Sequence, residues 1–368
     1  MIKILAFTKY SSKGPSSRYR YYNYVDCFET KSLSILINPF FLENYLNTTS
    51  LIIKTLLSLK AYFMRFTSIS KLILYPQTYG LIIIEYELFP YFPCIFERLL
   101  RLRKVPYIVD YDDAIFHRYD KHKNPLVRFL LKNKIAKVMK HASAVIVGND
   151  YLQSYAQKYN NRILQLPTVV LLDKYKEAII KHKIKSIESA FIIGWIGSKS
   201  TSPYVLDIIP VIEKFASKYP AECHLIGFDA GLISQEMQNK CKITIIPWSE
   251  ETEIQEMLKF DVGIMPLKDD PWSKGKCGFK LIQYMSCKKP VIASPVGVNN
   301  TIVKEGSNGY LANTNEQWFD ALEKLYKNKE LRNAMGENNW EKILKDYNHQ
   351  LNCQKYVKLI NNIVKEHH

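Results

Sequence analysis

Short apolar runs recur along this chain, each bounded by polar or turn residues and separated by stretches long enough for a helix. At strand length they fall at residues 2–7, 33–37, 81–84, 107–110, 144–147 and 163–166. A second series falls at 191–196, 224–226, 243–246, 262–265 and 291–293. Between them, residues 203–219, 252–259 and 316–335 repeat their apolar positions at helical spacing. Buried strands alternating with helices predict an α/β architecture of parallel, doubly wound sheets. The alternation pauses over the charged stretch DKYKEAIIKHKIKSIESA and resumes at Phe191. The pattern therefore predicts a Rossmann-like domain over residues 1–167, a linker over 168–188 and a second Rossmann-like domain over 189–339. A helix at about 340–368 is expected to pack back on the first. Open α/β sheets take ligands at the carboxyl ends of their strands, so the two lobes are expected to face each other across a ligand-binding cleft.

Length supports this division, because 368 residues exceed what one hydrophobic core usually serves. Charge adds an asymmetry. Residues 1–167 hold 24 Lys+Arg against 11 Asp+Glu, a net of +13, whereas the remainder holds 27 against 24, a net of +3. A basic lobe suits a polyanion, either phospholipid headgroups or nucleic acid, and a solvated basic face is the plain alternative. No recognised nucleic-acid module or Arg/aromatic patch accompanies the charge, which argues against nucleic acid as a partner. Within this lobe, residues 51–73 carry Lys54, Lys60, Arg65 and Lys71 and no acid. At helical pitch these lie opposite Ile52, Leu56, Leu59, Phe63 and Phe66, the pattern of a basic amphipathic helix in peripheral contact with an anionic membrane. A surface helix packed on the first sheet is the other reading.

Seven cysteines, an odd number without C-x-x-C or C-x-x-H pairs, argue against a disulfide framework and against a zinc site. A reducing, cytoplasmic setting is expected, at the inner face of the cell membrane. The opening residues MIKILAFTKY are too short an apolar run for a secretory leader, and no stretch reaches the length of a spanning helix.

The segment with the most chemistry is residues 261–312. It reads as a strand, a Lys-bearing loop, a helix beginning near Gly278, a strand over 290–293 and a Gly-containing loop. A strand–loop–helix junction directs backbone N–H groups and the positive end of the helix dipole at one point, which suits an anion. Gly275 and Gly278 let the backbone approach a ligand, and Lys274, Lys276 and Lys280 add charge suited to a diphosphate. This segment resembles the nucleotide-binding core of the retaining glycosyltransferases of family four, which have the GT-B fold. That family carries two glutamates separated by seven residues, with Gly-Phe-Gly between them, followed by Ala-Met and a Pro-Val-Ile-Ala-Ser strand. Here Gly278 matches the second glycine, and Pro290-Val291-Ile292-Ala293-Ser294 matches outright. Glu305-Gly306-Ser307-Asn308-Gly309-Tyr310-Leu311 matches a later element. Gly275 stands at the first glutamate position and Gln283 at the second, so both carboxylates are absent. Gly194-Trp195-Ile196-Gly197-Ser198-Lys199-Ser200 resembles the family's first strand and loop of the nucleotide lobe, with Ser198 in place of an arginine.

The resemblance implies a GT-B protein that moves a hexose-type sugar from a nucleoside-diphosphate sugar to a hydroxyl of a glycan or lipid-linked acceptor. The implied setting is bacterial cell-surface polysaccharide or lipopolysaccharide synthesis. It places the nucleotide sugar on Gly197, Ser198, Lys199, Lys276, Gly278, Phe279, Lys280 and Gln283. In the first lobe, Ser17 and Arg18 follow the first strand as an acceptor or phosphate loop. Asp110, Asp112 and Asp113 follow another strand, with His117 close behind, and Glu85 and Glu87 follow a third. Asp112, Asp113 and His117 are the catalytic candidates. No metal and no cofactor are expected, the sugar nucleotide being a substrate. The alternatives are a non-hydrolysing sugar-nucleotide epimerase, for which Asp112 and Asp113 would serve as acid and base, a basic nucleic-acid-binding protein and a catalytically inactive scaffold.

Overall fold

The computed structural model describes residues 2–29, 32–182 and 190–367. The chain forms two compact units. The first comprises the chain through Thr168, Gly275–Cys277 and the stretch from Gln350 onward; the second comprises Val169–Lys274 and Gly278–His349.

The first unit holds β1 (Ile2–Tyr10), β2 (Leu33–Phe41), β3 (Leu81–Glu85), β4 (Tyr107–Tyr111), β5 (Ala144–Val147) and β6 (Ile163–Gln165). They form one parallel sheet in the order β2-β1-β3-β4-β5-β6. Every residue of β3, β4 and β5 is buried, as expected of strands covered on both faces, and each large apolar side chain so buried contributes about 1.5–3 kcal/mol. The second unit holds β7 (Phe191–Ile196), β8 (Ala221–Ile226), β9 (Ile243–Ile246), β10 (Val262–Met265), β11 (Val291–Ala293) and β12 (Gly309–Leu311). Their order is β12-β11-β10-β7-β8-β9, again all parallel. Trp195, Phe215, Phe228, Trp318 and Met335 lie in its core.

Both sheets reverse their winding beside their first strand, between β1 and β3 in one unit and between β7 and β10 in the other. Such switch points open a crevice at the carboxyl ends of the strands, and that is where each unit gathers its polar side chains.

Three features differ from the sequence expectations. Residues 168–188, expected as a linker, include the helix Leu172–Lys181, while 183–188 lie outside the described residues. Cys27 and Cys353 are joined as a disulfide with Cα atoms 5.9 Å apart, where the cysteine count and spacing argued against a disulfide framework. Their separation of 326 residues leaves no local spacing to reveal the pair; the helix His349–His367 carries Cys353 to the helix Val25–Phe28.

The third concerns the helix Leu51–Leu74. It turns Ala61, Arg65, Ile69 and Leu72 inward. Ile52, Leu56, Leu59, Phe63 and Phe66, the residues that would normally cover a sheet, point to solvent. The Arg65 guanidinium is buried against the rings of Phe7 and Phe40 and donates to the carbonyls of Thr8, Asn38 and Leu88. Burial lowers its pKa to about 9, with the Glu85 carboxylate opposing. No helix among the described residues is long and apolar enough to cross a membrane.

Candidate functional site

In the first unit the chain leaves β1, turns through Gly14 and enters the helix Pro15–Arg20, with Pro15 at its first position, where a missing N–H costs nothing. Ser17 is fully buried; its Oγ donates to Glu85 Oε2 at 2.6 Å and accepts from the Tyr10 N–H at 3.0 Å. The same Glu85 oxygen accepts from the Lys9 N–H at 2.7 Å. Burial raises the Glu85 carboxyl to about 7, with the Ser17 and Lys9 hydrogen bonds opposing. Arg18 is buried with its guanidinium over the Tyr19 ring.

Asp110, expected to stand with Asp112 and Asp113 as a third carboxylate of the site, is occupied elsewhere. Arg20 holds it in a buried two-pronged ion pair and donates a further hydrogen bond to the Leu166 carbonyl at 2.7 Å. Two carboxylates remain at the end of β4. Asp112 accepts a short hydrogen bond from Tyr86, whose backbone takes a left-handed turn directly after β3. Asp113 is raised to about 6 by burial, the Lys276 ammonium opposing and the Asp112 charge adding to the rise. His117 is engaged at both ring nitrogens, Nδ1 with the Asp120 carboxylate at 2.9 Å and Nε2 with the Tyr151 hydroxyl at 2.8 Å. Glu87 is held by Tyr119 and Lys134 in a buried network.

Gly275–Cys277 complete this unit. Asn149 caps the helix Asp150–Ala156 with its Oδ1 and donates from Nδ2 to the carbonyls of Gly275 and Lys276, both at 3.0 Å. The Cys277 thiol donates to the Asp112 carbonyl. A Cβ on Gly275 would meet the Ala114 Cβ at 2.4 Å and its backbone nitrogen at 2.8 Å. The position where the family has its first glutamate therefore admits no side chain here.

In the second unit β7 ends at Ile196, Gly197 follows it, and Ser198 caps a short turn, Lys199–Thr201, through a reciprocal pair of hydrogen bonds with Thr201. Lys199 is exposed. The helix Phe279–Ser286 begins at Gly278, which sits in the left-handed region at φ +67 and against Ile302, so a side chain there would be both strained and crowded. Its first turn holds no acidic residue, which leaves the electropositive end suited to an anion. Tyr284 fixes the helix to the sheet: its hydroxyl accepts from the Ile196 N–H and donates to the Ile264 carbonyl, between the ends of β7 and β10. Lys280 lies over the Trp195 ring at 5.5 Å, and Gln283 is buried. Gly197, Ser198, Lys199, Gly278, Phe279, Lys280 and Gln283 thus belong to the switch point of this sheet, whereas Lys276 belongs to the first unit.

Sequence reasoning did not single out Arg20, Tyr86 or Asn149. Each acts on a partner far along the chain, 90 residues away for Arg20 and 126 for Asn149, and no motif marks them.

Similarity to known proteins agrees with this geometry. Residues 177–342 match the family described as "Glycosyl transferases group 1". A probable sucrose-phosphate synthase of Thermosipho melanesiensis is 24 % identical over 298 residues, a match spanning 71 % of this chain and 65 % of that relative. Among solved structures, sucrose-phosphate synthase from Thermosynechococcus elongatus superposes with a TM-score of 0.70 at 14 % identity and covers 100 % of both chains. Anabaena HepE in complex with UDP and glucose superposes with a TM-score of 0.67 at 13 % identity, covering 98 % of this chain and 100 % of that one. Two parallel six-stranded sheets, a glycine-opened helix at a switch point and this matched segment have one common explanation: the chain has the GT-B fold, and its residues 177–342 are similar to the Glycosyl transferases group 1 family.

Proposed function

We propose that this chain transfers a hexose-type sugar, with retention, from a nucleoside-diphosphate sugar to a hydroxyl of a glycan or lipid-linked acceptor. The setting we propose is the synthesis of bacterial cell-surface polysaccharide or lipopolysaccharide. The observation that carries the reading is the Gly278 junction, where a helix without acids in its first turn is anchored by Tyr284 between the ends of β7 and β10.

Cleavage of the sugar–phosphate bond leaves a diphosphate whose negative charge grows in the transition state. The helix start at Gly278, Lys280 and the Gly197–Lys199 turn would hold that charge. A uridine nucleotide is the first candidate donor, since HepE has been solved with UDP-glucose. Gln283 would hydrogen-bond a nucleotide hydroxyl without adding charge. In the first unit, Ser17, Arg18, Asp112 and Asp113 would receive the acceptor, and an Asp113 carboxyl near 6 is ionised enough at neutral pH to accept a hydrogen bond from the attacking hydroxyl. His117 would act from its bond to Tyr151. The helix Leu51–Leu74, with its apolar side outward and no acid along it, would give peripheral contact with an anionic membrane at the inner face of the cell membrane.

The test is a thermal-shift screen of the full chain against UDP-, GDP- and dTDP-sugars. At least one should raise the melting temperature, and the effect should be lost in Lys280→Ala. No stabilisation by any of them would overturn the proposal.

A further inference from the structure

The apolar side of the helix Leu51–Leu74 does not end with that helix. Three segments of the first unit leave the sheet at the same edge. The helix follows the carboxyl end of β2, the loop over residues 86–94 follows that of β3, and the helices His117–Asp120 and Pro125–Leu131 follow that of β4. Side-chain contacts join them in one direction around the edge. The Tyr62 hydroxyl donates to the Pro90 carbonyl at 2.5 Å, and Phe66 meets Phe96 edge-on. The Tyr91 N–H donates to the Tyr119 hydroxyl, and the Tyr91 ring packs edge-on against Tyr119 and His122. Arg128 donates to the His122 carbonyl.

Along this rim large apolar side chains face water. Leu56 and Phe63 are 60 % and 69 % exposed, Tyr91 and Phe92 lie exposed in the loop, and Phe129 is 75 % exposed between Leu126 and Leu130. Leu126, Phe129 and Leu130 are spaced three and four apart, so they form one face of their short helix. Isolated exposed apolar residues are ordinary; a joined patch well beyond a few hundred Å² is the mark of an interaction surface.

Charge says what the patch meets. Residues 51–74 carry four cations and no acid, residues 88–96 carry no charge, and residues 121–134 carry Lys121, Lys123, Arg128, Lys132 and Lys134 and no acid. Lys60, Lys71, Lys121, Lys123, Arg128 and Lys132 are exposed. A second copy of the chain docked through this surface would set lysines against lysines, because a two-fold contact pairs a patch with itself. An anionic bilayer supplies hydrocarbon for the rings and phosphate for the cations.

We infer that residues 51–66, 88–96 and 121–132 form a single lipid-docking rim, in which Leu126, Phe129 and Leu130 are a second insertion wedge beside the long helix. This deepens the membrane part of the proposed function and rests on it, and it favours an acceptor carried on a lipid. Three elements fix an orientation that one helix leaves free: the carboxyl edge of the first sheet, with Asp112 and Asp113, is turned toward the bilayer surface.

The test is flotation of the full chain with vesicles of phosphatidylcholine alone and of phosphatidylcholine with about one third phosphatidylglycerol. Wild type should float with the anionic vesicles, with retention falling as salt is raised. Phe129→Ser/Leu130→Ser should lower retention by about tenfold, as should Leu56→Ser/Phe63→Ser, each alone. Both variants should keep the wild-type melting temperature and the wild-type shift with the best nucleotide sugar. Wild-type retention in the Phe129/Leu130 variant, equal retention on neutral vesicles, or wild type staying with the lipid-free fraction would each overturn the inference. So would a concentration-dependent dimer that either variant abolishes. Loss of the nucleotide-sugar shift in wild type, with vesicle binding intact, would instead strike the proposed function and leave the docking rim standing.

Discussion

Arg20 and Asp110 face each other inside the first unit with both carboxylate oxygens engaged, Nε to Oδ2 at 2.9 Å and Nη2 to Oδ1 at 2.5 Å, and neither side chain is more than 4 % exposed. The pair joins the helix after β1 to the end of β4, so it ties the helix that carries Ser17 to the strand end that leads into Asp112. Removing one partner strands a buried charge. Asp110→Asn is expected to lower unfolding stability by about 3–5 kcal/mol, read by urea titration at pH 7. A change below 1 kcal/mol would mean that the pair contributes little.

Restoring the family's first glutamate should harm this protein. Gly275→Glu drives a side chain into Ala114, whose backbone nitrogen is too close to yield. The variant should lose about 2 kcal/mol or more, and Gly275→Ala a comparable part of it, measured by thermal or chemical denaturation. A pairing of Gly275→Glu with Ala114→Gly should recover part of the loss. A neutral Gly275→Ala would show that the loop rests elsewhere.

Lys280→Ala is expected to weaken nucleotide-sugar binding about tenfold, the worth of one charge-assisted contact to phosphate, with stability close to wild type. Because Lys280 lies over Trp195, the same variant should change the intrinsic fluorescence response to ligand. Calorimetry or fluorescence titration that gave unchanged affinity would remove Lys280 from the donor site.

The Glu85 carboxyl titrates near 7 in the folded protein against an ordinary value of 4.5. Between those pH values the folded state keeps a proton that the unfolded chain has released, so this group lowers stability as pH rises from about 4.5 to about 7 and leaves it reduced above. Glu85→Gln keeps an oxygen for the Lys9 N–H and the Ser17 hydroxyl and removes the ionisation. The variant should match wild type near pH 4 and exceed it by roughly 3 kcal/mol near pH 8. A difference that does not vary with pH would contradict the assignment.

Much of the fold was legible because parallel strands buried on both faces read as unbroken apolar runs. Residues 144–147, 191–196, 243–246, 262–265 and 291–293 are strands at the bounds expected. The edges were harder. β12 is three residues long, partly exposed and next to a turn at Gly306, so no apolar run announces it. β2 continues past Ile37 through Pro39, which an edge strand tolerates because its missing N–H faces no partner. In the candidate site, the glycines and lysines could be proposed from sequence because a motif orders them along the chain. The Arg20 clamp, the turn at Tyr86 and the Asn149 tether were not, since each depends on which strand ends the sheet brings side by side. The outward side of the long helix was legible as amphipathic, but amphipathicity alone left open which side the sheet would take, and Arg65 decides it.

That residue has a consequence for how the protein behaves before it meets anything. Three backbone carbonyls receive one guanidinium, and no other residue along the inward side of the helix could replace it there. Arg65 therefore works as a key in a slot, setting the rotation of twenty-four residues about their own axis. A helix keyed in this way keeps its greasy stripe on permanent display, so the ordering cost of the proposed docking would be settled when the chain folds, and the standing liability is self-adhesion in dilute solution.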